Sequence, residues 1–191
     1  MNYKQMIELT TKRQRGFEIM IGHLNKCKDP LIVETGCSRQ ENNFSGDGMS
    51  TLIFDSYVET HGGEFHTVDI DQANVDFARK RTKGNTAIHC ADSVLFLHNL
   101  DHVLAQQGRK IDLLYLDSLD YTPEQELESS LHHIYELCAI RPSVKQGTMI
   151  VVDDNFYVNG VFKGKGKFMF DYMKKINCTC ILQDYQCIWV L

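Results

Sequence analysis

The chain alternates short apolar runs with longer amphipathic segments. Runs rich in Ile, Val and Leu predict buried strands, and segments with apolar residues at helical spacing predict the helices between them. The strands are predicted at 31–35, 64–70, 86–91, 111–117, 147–153, 178–183 and 186–191. The helices are predicted at 3–26, 50–60, 72–82, 93–107, 123–140 and 167–176. This order is typical of an α/β domain with a doubly wound, mostly parallel sheet, and the closing hairpin adds an antiparallel last strand.

No repeat, low-complexity tract or linker interrupts this order, so residues 1–191 are predicted to form a single domain. Within that domain, 1–28 is a leading helical segment with a basic patch around Arg13. We interpret the patch as a solvated helix face, with a lid over a site as the alternative. The glycine-rich segment 155–166 is predicted to be a mobile lid loop.

Composition and charge narrow the functional classes. The chain of 191 residues is 43% hydrophobic and 24% charged, which is typical of a globular domain of ordinary size. The net charge of −5 argues against a large nucleic-acid footprint. No apolar run reaches the length of a membrane helix, and the polar N-terminal sequence is unlike a secretory signal. We therefore expect a cytoplasmic protein whose partners are neither nucleic acids nor membranes.

Acidic residues stand where most of the predicted parallel strands end. They are Glu34, Asp69, Asp92, Asp117, Asp153 and Asp154. In an open parallel sheet, ligands bind in the crevice outside the carboxyl ends of the strands. These acids are therefore predicted to belong to a binding site rather than to the core.

The first three strand ends suit a cofactor that carries a ribose. Gly36 lets the backbone approach a ligand, and Glu34 can bond an amine or fix the loop, although a tight turn alone would use the same residues. The glycine fingerprint for a pyrophosphate, G-x-G-x-x-G, is absent. Asp69 lies where an acid can accept hydrogen bonds from ribose hydroxyls. Asp92 and Ser93 can reach an adenine edge, cap the following helix, or do both.

The last two strand ends suit a hard cation or a general base. Asp117, Asp153 and Asp154 converge because the fourth and fifth strands are predicted neighbours. Carboxylates so close repel one another unless a cation or shared protons intervene, and oxygen ligands favour Mg²⁺. The alternative is a metal-free arrangement in which one acid caps a helix and another bonds backbone amides. His132 and His133 fall in the middle of a helix, where a surface position is favoured.

The order of these motifs resembles the class I S-adenosylmethionine-dependent methyltransferases. The shared features are E-x-G after the first strand, acids after the second and third, D-L-x-x-L-D, and D-D after the fifth, from about residue 30 to 191. The acids at 117, 153 and 154 further resemble the metal-dependent O-methyltransferases of the catechol and macrocin types and the group named after cephalosporin hydroxylase. The resemblance implies a Rossmann-like, seven-stranded sheet, S-adenosylmethionine as the cofactor, and Mg²⁺.

The resemblance also implies a role for each matched residue. The implied cofactor-binding residues are Glu34 and Gly36 at the methionine end, Ser50 at its carboxylate, Asp69 at the ribose, Ile70 against adenine, Asp92 and Ser93 at the adenine amino group, and also Ser38 and Asp117. Asp117, Asp153 and Asp154 would hold Mg²⁺. Two departures from the family pattern are the longer loop after Gly36 and the missing second glycine of that motif.

The implied reaction is O-methylation of a small acceptor. Bidentate chelation by Mg²⁺ would need vicinal hydroxyls, as in a sugar or a catechol. The lysine base of the catechol enzymes has no match beside Asp117, so the catalytic candidates are Asp117 and Asp120, with Lys163 and Lys165 as rival bases. Because the chain is short, part of the acceptor could be covered by a second subunit of a homo-oligomer.

Three alternative functions stay open at this point. An NAD-dependent oxidoreductase can share this sheet, although the phosphate fingerprint and a Tyr-x-x-x-Lys pair are absent. A non-catalytic adenosylmethionine-binding protein would bind the cofactor without an acceptor pocket. A protein or nucleic-acid methyltransferase is disfavoured by the acidic charge and by the absence of an N-P-P-Y motif after the fourth strand.

Overall fold

The computed structural model describes residues 1–83 and 86–191. Within these residues the helices are α1 (Tyr3–Glu8), α2 (Gln14–Leu24), α3 (Ser50–His61), α4 (Gln72–Arg81), α5 (Ser93–Gln107), α6 (Glu126–Ile140) and α7 (Lys167–Lys175). The strands are β1 (Leu31–Thr35), β2 (Glu64–Asp69), β3 (Thr86–Cys90), β4 (Ile111–Leu116), β5 (Val144–Val152), β6 (Asn155–Val158), β7 (Val161–Gly164), β8 (Cys180–Gln183) and β9 (Cys187–Val190). Each described helix is too short or too polar to span a bilayer.

The main sheet confirms the predicted fold class. Among the described residues it has seven strands in the order β3-β2-β1-β4-β5-β9-β8. The strands from β3 to β5 pair in parallel, and β9 runs antiparallel to both β5 and β8. The direction in which successive strands are added reverses between β1 and β4. This reversal is the point of such a sheet at which ligands bind.

Two apolar layers cover the two faces of the sheet. Successive residues of a strand point to opposite faces, so Ile32 belongs to one layer and Val33 to the other. The first layer includes Phe17 and Phe54, which pack against strand residues beneath α2 and α3. The second layer is formed by α5, α6 and α7 around Trp189. Both faces are therefore buried, as the continuous apolar runs of β1, β4 and β5 require.

The leading segment differs from the predicted single helix over 3–26. It breaks after α1, where the hydroxyl of Thr10 donates to the Ile7 carbonyl at 2.7 Å and Thr11 has a φ of +49°. A 3-10 turn at Thr11–Arg13 then leads into α2. The break turns Arg13 inward, and its exposure is only 2%. The interpretation of Arg13 as part of a solvated basic face is therefore wrong.

The segment 155–166 is a hairpin rather than the predicted loop. Strands β6 and β7 pair antiparallel as a separate two-stranded sheet. Asn159 and Gly160 form the turn with φ values of +51° and +77°. Two residues in the left-handed region are typical of the tight turn that an Asn-Gly pair favours. The backbone of this segment is paired, which corrects the prediction of an irregular loop.

Candidate active site

A cavity of about 580 Å³ opens at the carboxyl ends of β1, β2 and β4, at the reversal in the strand order. Acids from four strand ends, those of β2, β3, β4 and β5, reach it, as the sequence predicted. The predicted site residues that line it are Gly36, Ser50, Asp69, Ile70, Asp92, Ser93, Asp117, Asp120 and Asp154. Its volume lies within the range of about 300–1,000 Å³ that is usual for small-molecule sites.

Glu34 and Ser38 were expected at the cofactor, but the structure places both beneath the cavity. Glu34 is fully buried, and its Oε2 accepts hydrogen bonds from Thr51 at 2.7 Å and Thr67 at 2.6 Å. The N–H of Ser38 donates to the Thr51 hydroxyl at 2.8 Å. Burial raises the pKa of Glu34 to about 7, although these hydroxyl hydrogen bonds oppose the shift. Glu34 therefore ties β1, β2 and α3 together under the floor of the cavity.

Gly36 makes a close crossing between two strand ends. Its φ is +80°, which an L side chain rarely adopts. A Cβ on Gly36 would lie 2.5 Å from the carbonyl oxygen of Asp117. The glycine is therefore required by the approach of the backbone after β1 to the end of β4, as well as by its place on the cavity wall.

Asp69 joins the loops that follow β1 and β2. Its Oδ2 accepts hydrogen bonds from the N–H of Cys37 and the amide of Asn74, both at 3.2 Å, and its Oδ1 accepts from the N–H of Asp71 at 2.8 Å. The next residue, Ile70, is 75% exposed on the same wall. An acid beside an exposed apolar side chain suits a ligand with adjacent polar and flat apolar parts.

The N-terminus of α5 brings further polar groups to the cavity. Asp92 caps the helix, because its Oδ1 accepts from the N–H of Leu95 at 3.0 Å. Ser93 lies with its hydroxyl 2.9 Å from Nε2 of His132, which also lines the cavity. Both roles foreseen for the Asp92–Ser93 pair, capping and facing the site, are therefore compatible with the structure. The prediction that His132 lies on the surface is wrong, because this side chain lines the cavity.

His132 belongs to a buried network that the sequence did not indicate. Its Nε2 is 3.4 Å from Oε1 of Glu136, which also accepts from the hydroxyl of Ser118 at 2.6 Å. The hydrogen bond with Glu136 raises the pKa of His132. Burial would raise the pKa of Glu136, but His132 and its other polar neighbours outweigh burial and lower that pKa to about 2. An ion pair is thus favoured behind this wall of the cavity.

The neighbouring His133 is fully buried, 2.7 Å from the Ser129 carbonyl, and burial lowers its pKa to about 4.

The three carboxylates that were expected to hold Mg²⁺ are bonded to side-chain cations. Asp153 is fully buried, and its Oδ2 accepts from Nε of Arg13 at 2.6 Å and from the Tyr115 hydroxyl at 2.9 Å. Asp154 accepts from Nη2 of Arg13 at 3.1 Å, and it forms an ion pair with Nζ of Lys165 at 3.0 Å. Lys165 also donates to Oδ1 of Asp117 at 2.6 Å.

This arrangement does not fit a bound metal ion. Among the described residues, no group of three or more His, Cys, Asp or Glu side chains is placed to hold one. Asp153 does not line the cavity, and Lys165 forms ion pairs with both Asp117 and Asp154. Each of the three acids has a cationic partner within the chain, which satisfies the need for neutralisation that motivated the prediction of a metal.

Asp120 and Lys163, two candidates for a general base, are engaged in ion pairs. The guanidinium of Arg39 donates to both carboxylate oxygens of Asp120, at 2.7 and 3.0 Å. This hydrogen bonding lowers the pKa of Asp120. Lys163 pairs with Glu126 at 2.9 Å, and it is not among the residues that line the cavity. The carboxylates that remain at the base of the cavity are those of Asp117 and Asp154.

The chain was compared with known families, curated proteins and solved structures. A family model described as a methyltransferase domain matches residues 45–155, more than half of the chain. That segment includes most of the acids at the strand ends. A search of the curated proteins gives no match.

Solved structures of methyltransferases share the fold at low sequence identity. The MycE methyltransferase from the mycinamycin biosynthetic pathway, in complex with Mg and SAH, superposes with a TM-score of 0.63 at 11% identity, over 97% of this chain and 54% of MycE. CalS11, a calicheamicin methyltransferase, gives a TM-score of 0.61 at 11% identity, over 94% of this chain and 80% of CalS11. SMU.1697c of Streptococcus mutans, a putative methyltransferase in complex with SAH, gives 0.56 at 10% identity, over 91% and 96%. This chain thus spans about half the length of MycE. The motif order, the sheet topology and the family match agree, and the chain belongs to the methyltransferase-domain family.

Proposed function

We propose that this chain transfers a methyl group from S-adenosylmethionine to a hydroxyl group of a small acceptor. The observation that carries the proposal is one continuous cavity with two chemically different ends. One end has Asp69, Ile70 and Ser93, and the other has the carboxylates of Asp117 and Asp154. The first end suits a nucleoside, and the second suits a donor of hydrogen bonds such as a hydroxyl group.

The residues at the first end fit the cofactor. Asp69 is available to ribose hydroxyls, and the exposed Ile70 offers an apolar surface for a flat ring. Ser50 begins α3, whose N-cap residue Met49 makes no side-chain capping bond. The unpaired N–H groups and the dipole of that helix end favour an anion, which suits the methionine carboxylate. When bound, S-adenosylmethionine would supply a sulfonium methyl group to which the acceptor oxygen would bond, as the S–C bond breaks and the neutral thioether leaves.

The residues at the second end position and deprotonate the acceptor. Lys165 engages Oδ1 of Asp117, so Oδ2 is the oxygen that Asp117 offers to an acceptor hydroxyl. We propose that Asp117 accepts the hydroxyl proton, with Asp154 as the second hydrogen-bond acceptor. Asp154 has a φ of +54°. Strained backbone of this kind persists where the surrounding structure holds it, and it is common at functional sites. This assignment leaves Asp120 to its pair with Arg39.

The acceptor is proposed to be a small hydroxylated molecule, with a sugar as the first class to test. CalS11 is described as a TDP-rhamnose 3'-O-methyltransferase, and its fold resembles this one with a TM-score of 0.60. The net charge of −5 and the acidic end of the cavity argue against a polyanionic partner such as nucleic acid. The expected preference for vicinal hydroxyls rested on chelation by a metal. Because the carboxylates do not fit a metal, one hydroxyl is sufficient in this proposal.

Calorimetry and a methylation assay test the proposed function. We expect S-adenosylmethionine to bind the wild-type protein, and we expect Asp69→Asn to weaken that binding. Asp76→Asn, a neighbouring exposed acid on α4, is the matched control. A panel of glycosides, catechols and mono-ols is then assayed for methyl transfer. In that assay the Asp117→Asn variant should have a lower kcat than wild type, and it should retain wild-type affinity for the cofactor. Binding of NAD without binding of S-adenosylmethionine would refute the proposal, and cofactor binding without any acceptor would favour a non-catalytic binding protein.

A further inference from the structure

We infer that Lys165 and Arg13 occupy the role of a divalent cation in this site, so that methyl transfer by this chain does not require Mg²⁺. The inference rests on the proposed function, because it concerns the same cavity. It goes further, because it assigns the neutralisation of the acidic cluster to two residues of the chain itself. Lys165 and Arg13 are here positioning residues, which hold the carboxylates that face the acceptor.

The ammonium group of Lys165 makes all its polar contacts within the cluster. Its Nζ donates to Oδ1 of Asp117 at 2.6 Å and to the carbonyl of Asp117 at 3.2 Å, and it forms an ion pair with Oδ2 of Asp154 at 3.0 Å. The side chain of Lys165 has no exposed surface. A metal ion at Asp117 and Asp154 would have to displace this fully buried charge.

The hairpin fixes Lys165 in this position. The residue before it, Gly164, has a φ of +112°, and a Cβ there would overlap the carbonyl oxygen of Asp154. The N–H of Lys165 donates to that same carbonyl at 3.2 Å. The hydroxyl of Ser130 on α6 donates to the Gly164 carbonyl at 2.9 Å, and the N–H of Gly166 donates to Asn155 at 2.7 Å. The backbone on both sides of Lys165 is therefore anchored, and the ammonium is held in place by the fold.

Arg13 provides the second charge from the opposite end of the chain. Its guanidinium donates from Nε to Asp153 at 2.6 Å, from Nη2 to Asp154 at 3.1 Å and from Nη1 to the Gly46 carbonyl at 2.8 Å. A guanidinium stays protonated in proteins, so this charge is permanent. Gly48 leaves room for it, because a Cβ there would lie 2.8 Å from Cδ of Arg13. The chain thus has a built pocket for the arginine.

The charges of the cluster bear on which acceptors it can take. Each of the three carboxylates has a cationic partner in Arg13 or Lys165. A further divalent ion would meet two fixed positive charges at the same carboxylates, and like charges repel strongly where water is scarce. Lys165 holds Asp117 in place as the acceptor of a hydroxyl proton. Acceptors with one hydroxyl should accordingly react as readily as vicinal diols.

Titration of the wild-type protein with Mg²⁺ alone is the first test, and it needs no acceptor. We expect no heat of binding at millimolar Mg²⁺, and an unchanged rate of methyl transfer after treatment with EDTA. Mg²⁺ binding that is lost in Asp117→Asn, or activity that is abolished by EDTA and restored by Mg²⁺, would overturn the inference. Neither result bears on cofactor binding, so calorimetry with S-adenosylmethionine distinguishes a failure of this inference from a failure of the proposed function.

The second test removes the internal cation. Lys165→Met keeps the length of the stem without its charge, and Lys167→Met on the exposed start of α7 is the matched control. We expect the kcat of Lys165→Met to be about tenfold or more below that of wild type, because Asp117, the proton acceptor, would no longer be held in place. We also expect it to gain Mg²⁺ binding, seen as heat and as a higher Tm, with partial recovery of the rate. A folded Lys165→Met protein that gains no Mg²⁺ affinity contradicts the inference. If this variant does not fold, the wild-type titration decides alone.

Discussion

Replacement of Glu34 by glutamine should favour the folded protein more strongly as the pH rises. Glu34 is fully buried, its Oε1 has no hydrogen-bond partner among the described residues, and the charged form is disfavoured by desolvation. Its pKa is raised to about 7 from an ordinary 4.5. Glutamine keeps an oxygen that can accept from Thr51 and Thr67, and it carries no charge at any pH. The substitution therefore removes the cost of the buried charge, and it adds the cost of a buried amide nitrogen in place of the unpartnered Oε1, a cost that does not vary with pH.

The magnitude and its pH range follow from the two pKa values. Below pH 4.5 the carboxyl is protonated in both the folded and the unfolded chain, so the stability difference between wild type and variant reflects the buried amide nitrogen alone. Between 4.5 and about 7 the folded state holds a proton that the unfolded state has lost, so wild-type stability falls as the pH rises. At about 1.4 kcal/mol for each pKa unit, the variant should gain about 3 kcal/mol relative to wild type across this range.

Urea denaturation on both sides of this range measures the effect. The free energy of unfolding is determined for wild type, Glu34→Gln and the control Glu59→Gln, whose side chain is exposed beside Lys83. We expect the Glu34→Gln difference to shift by about 3 kcal/mol in favour of the variant between the two sides of the range, and the control difference to stay flat. A Glu34→Gln difference that does not vary with pH would refute the reasoning.

Three further outcomes are expected. Gly36→Ala should lower the unfolding free energy more than Gly62→Ala, because both glycines have φ near +80° but only Gly36 has backbone atoms where a Cβ would lie. Urea denaturation of the two variants measures the cost of that steric clash, and equal losses would contradict the prediction. Glu136→Gln should lower the pKa of His132 towards its ordinary value, since the hydrogen bond to Glu136 raises that pKa, and NMR titration of the imidazole measures the change. The stability that wild type gains from a raised histidine pKa is lost as the pH rises through that pKa, so the unfolding free energies of variant and wild type should differ most at acidic pH. Asp153→Asn should destabilise the protein by about 3–5 kcal/mol, as expected when a buried guanidinium loses its carboxylate, and a cost below that of a surface control would argue against the ion pair.

The sequence predicted the fold and one side of the site because both depend on local patterns. Apolar runs that end in an acid mark β1, β2, β4 and β5, and the acids of parallel strands meet at one edge. The cap of α4 is equally local, since Asp71 directly after β2 accepts from the N–H of Ala73 at 2.8 Å. These features need only neighbouring residues and general rules of sheet topology.

The cationic partners could not be predicted in the same way. Arg13 and Asp153 are 140 residues apart in sequence, and Lys165 and Asp117 are 48 apart, so their contacts depend on the completed fold. A basic residue in an amphipathic segment usually remains solvated, which explains the wrong interpretation of Arg13. One signal was present but unused. The Asn159-Gly160 pair between alternating apolar residues indicates a tight hairpin, and that hairpin delivers Lys165 to the acids.

The contact of Arg13 with Asp153 and Asp154 sets the smallest fragment of this chain that can work. The stretch 45–155, which the family model recognises, contains the three clustered acids but neither of their cations. A protein cut to that stretch would lack the central strand β1 as well as both cations, and mutual repulsion of the uncompensated carboxylates would further oppose the packing of β4 against β5. Engineering of chimaeras or truncations should therefore keep the opening turn and the hairpin with the sheet they serve. For this fold, the segment that the family model recognises is shorter than the segment that carries all the charges of the acidic cluster and its cations.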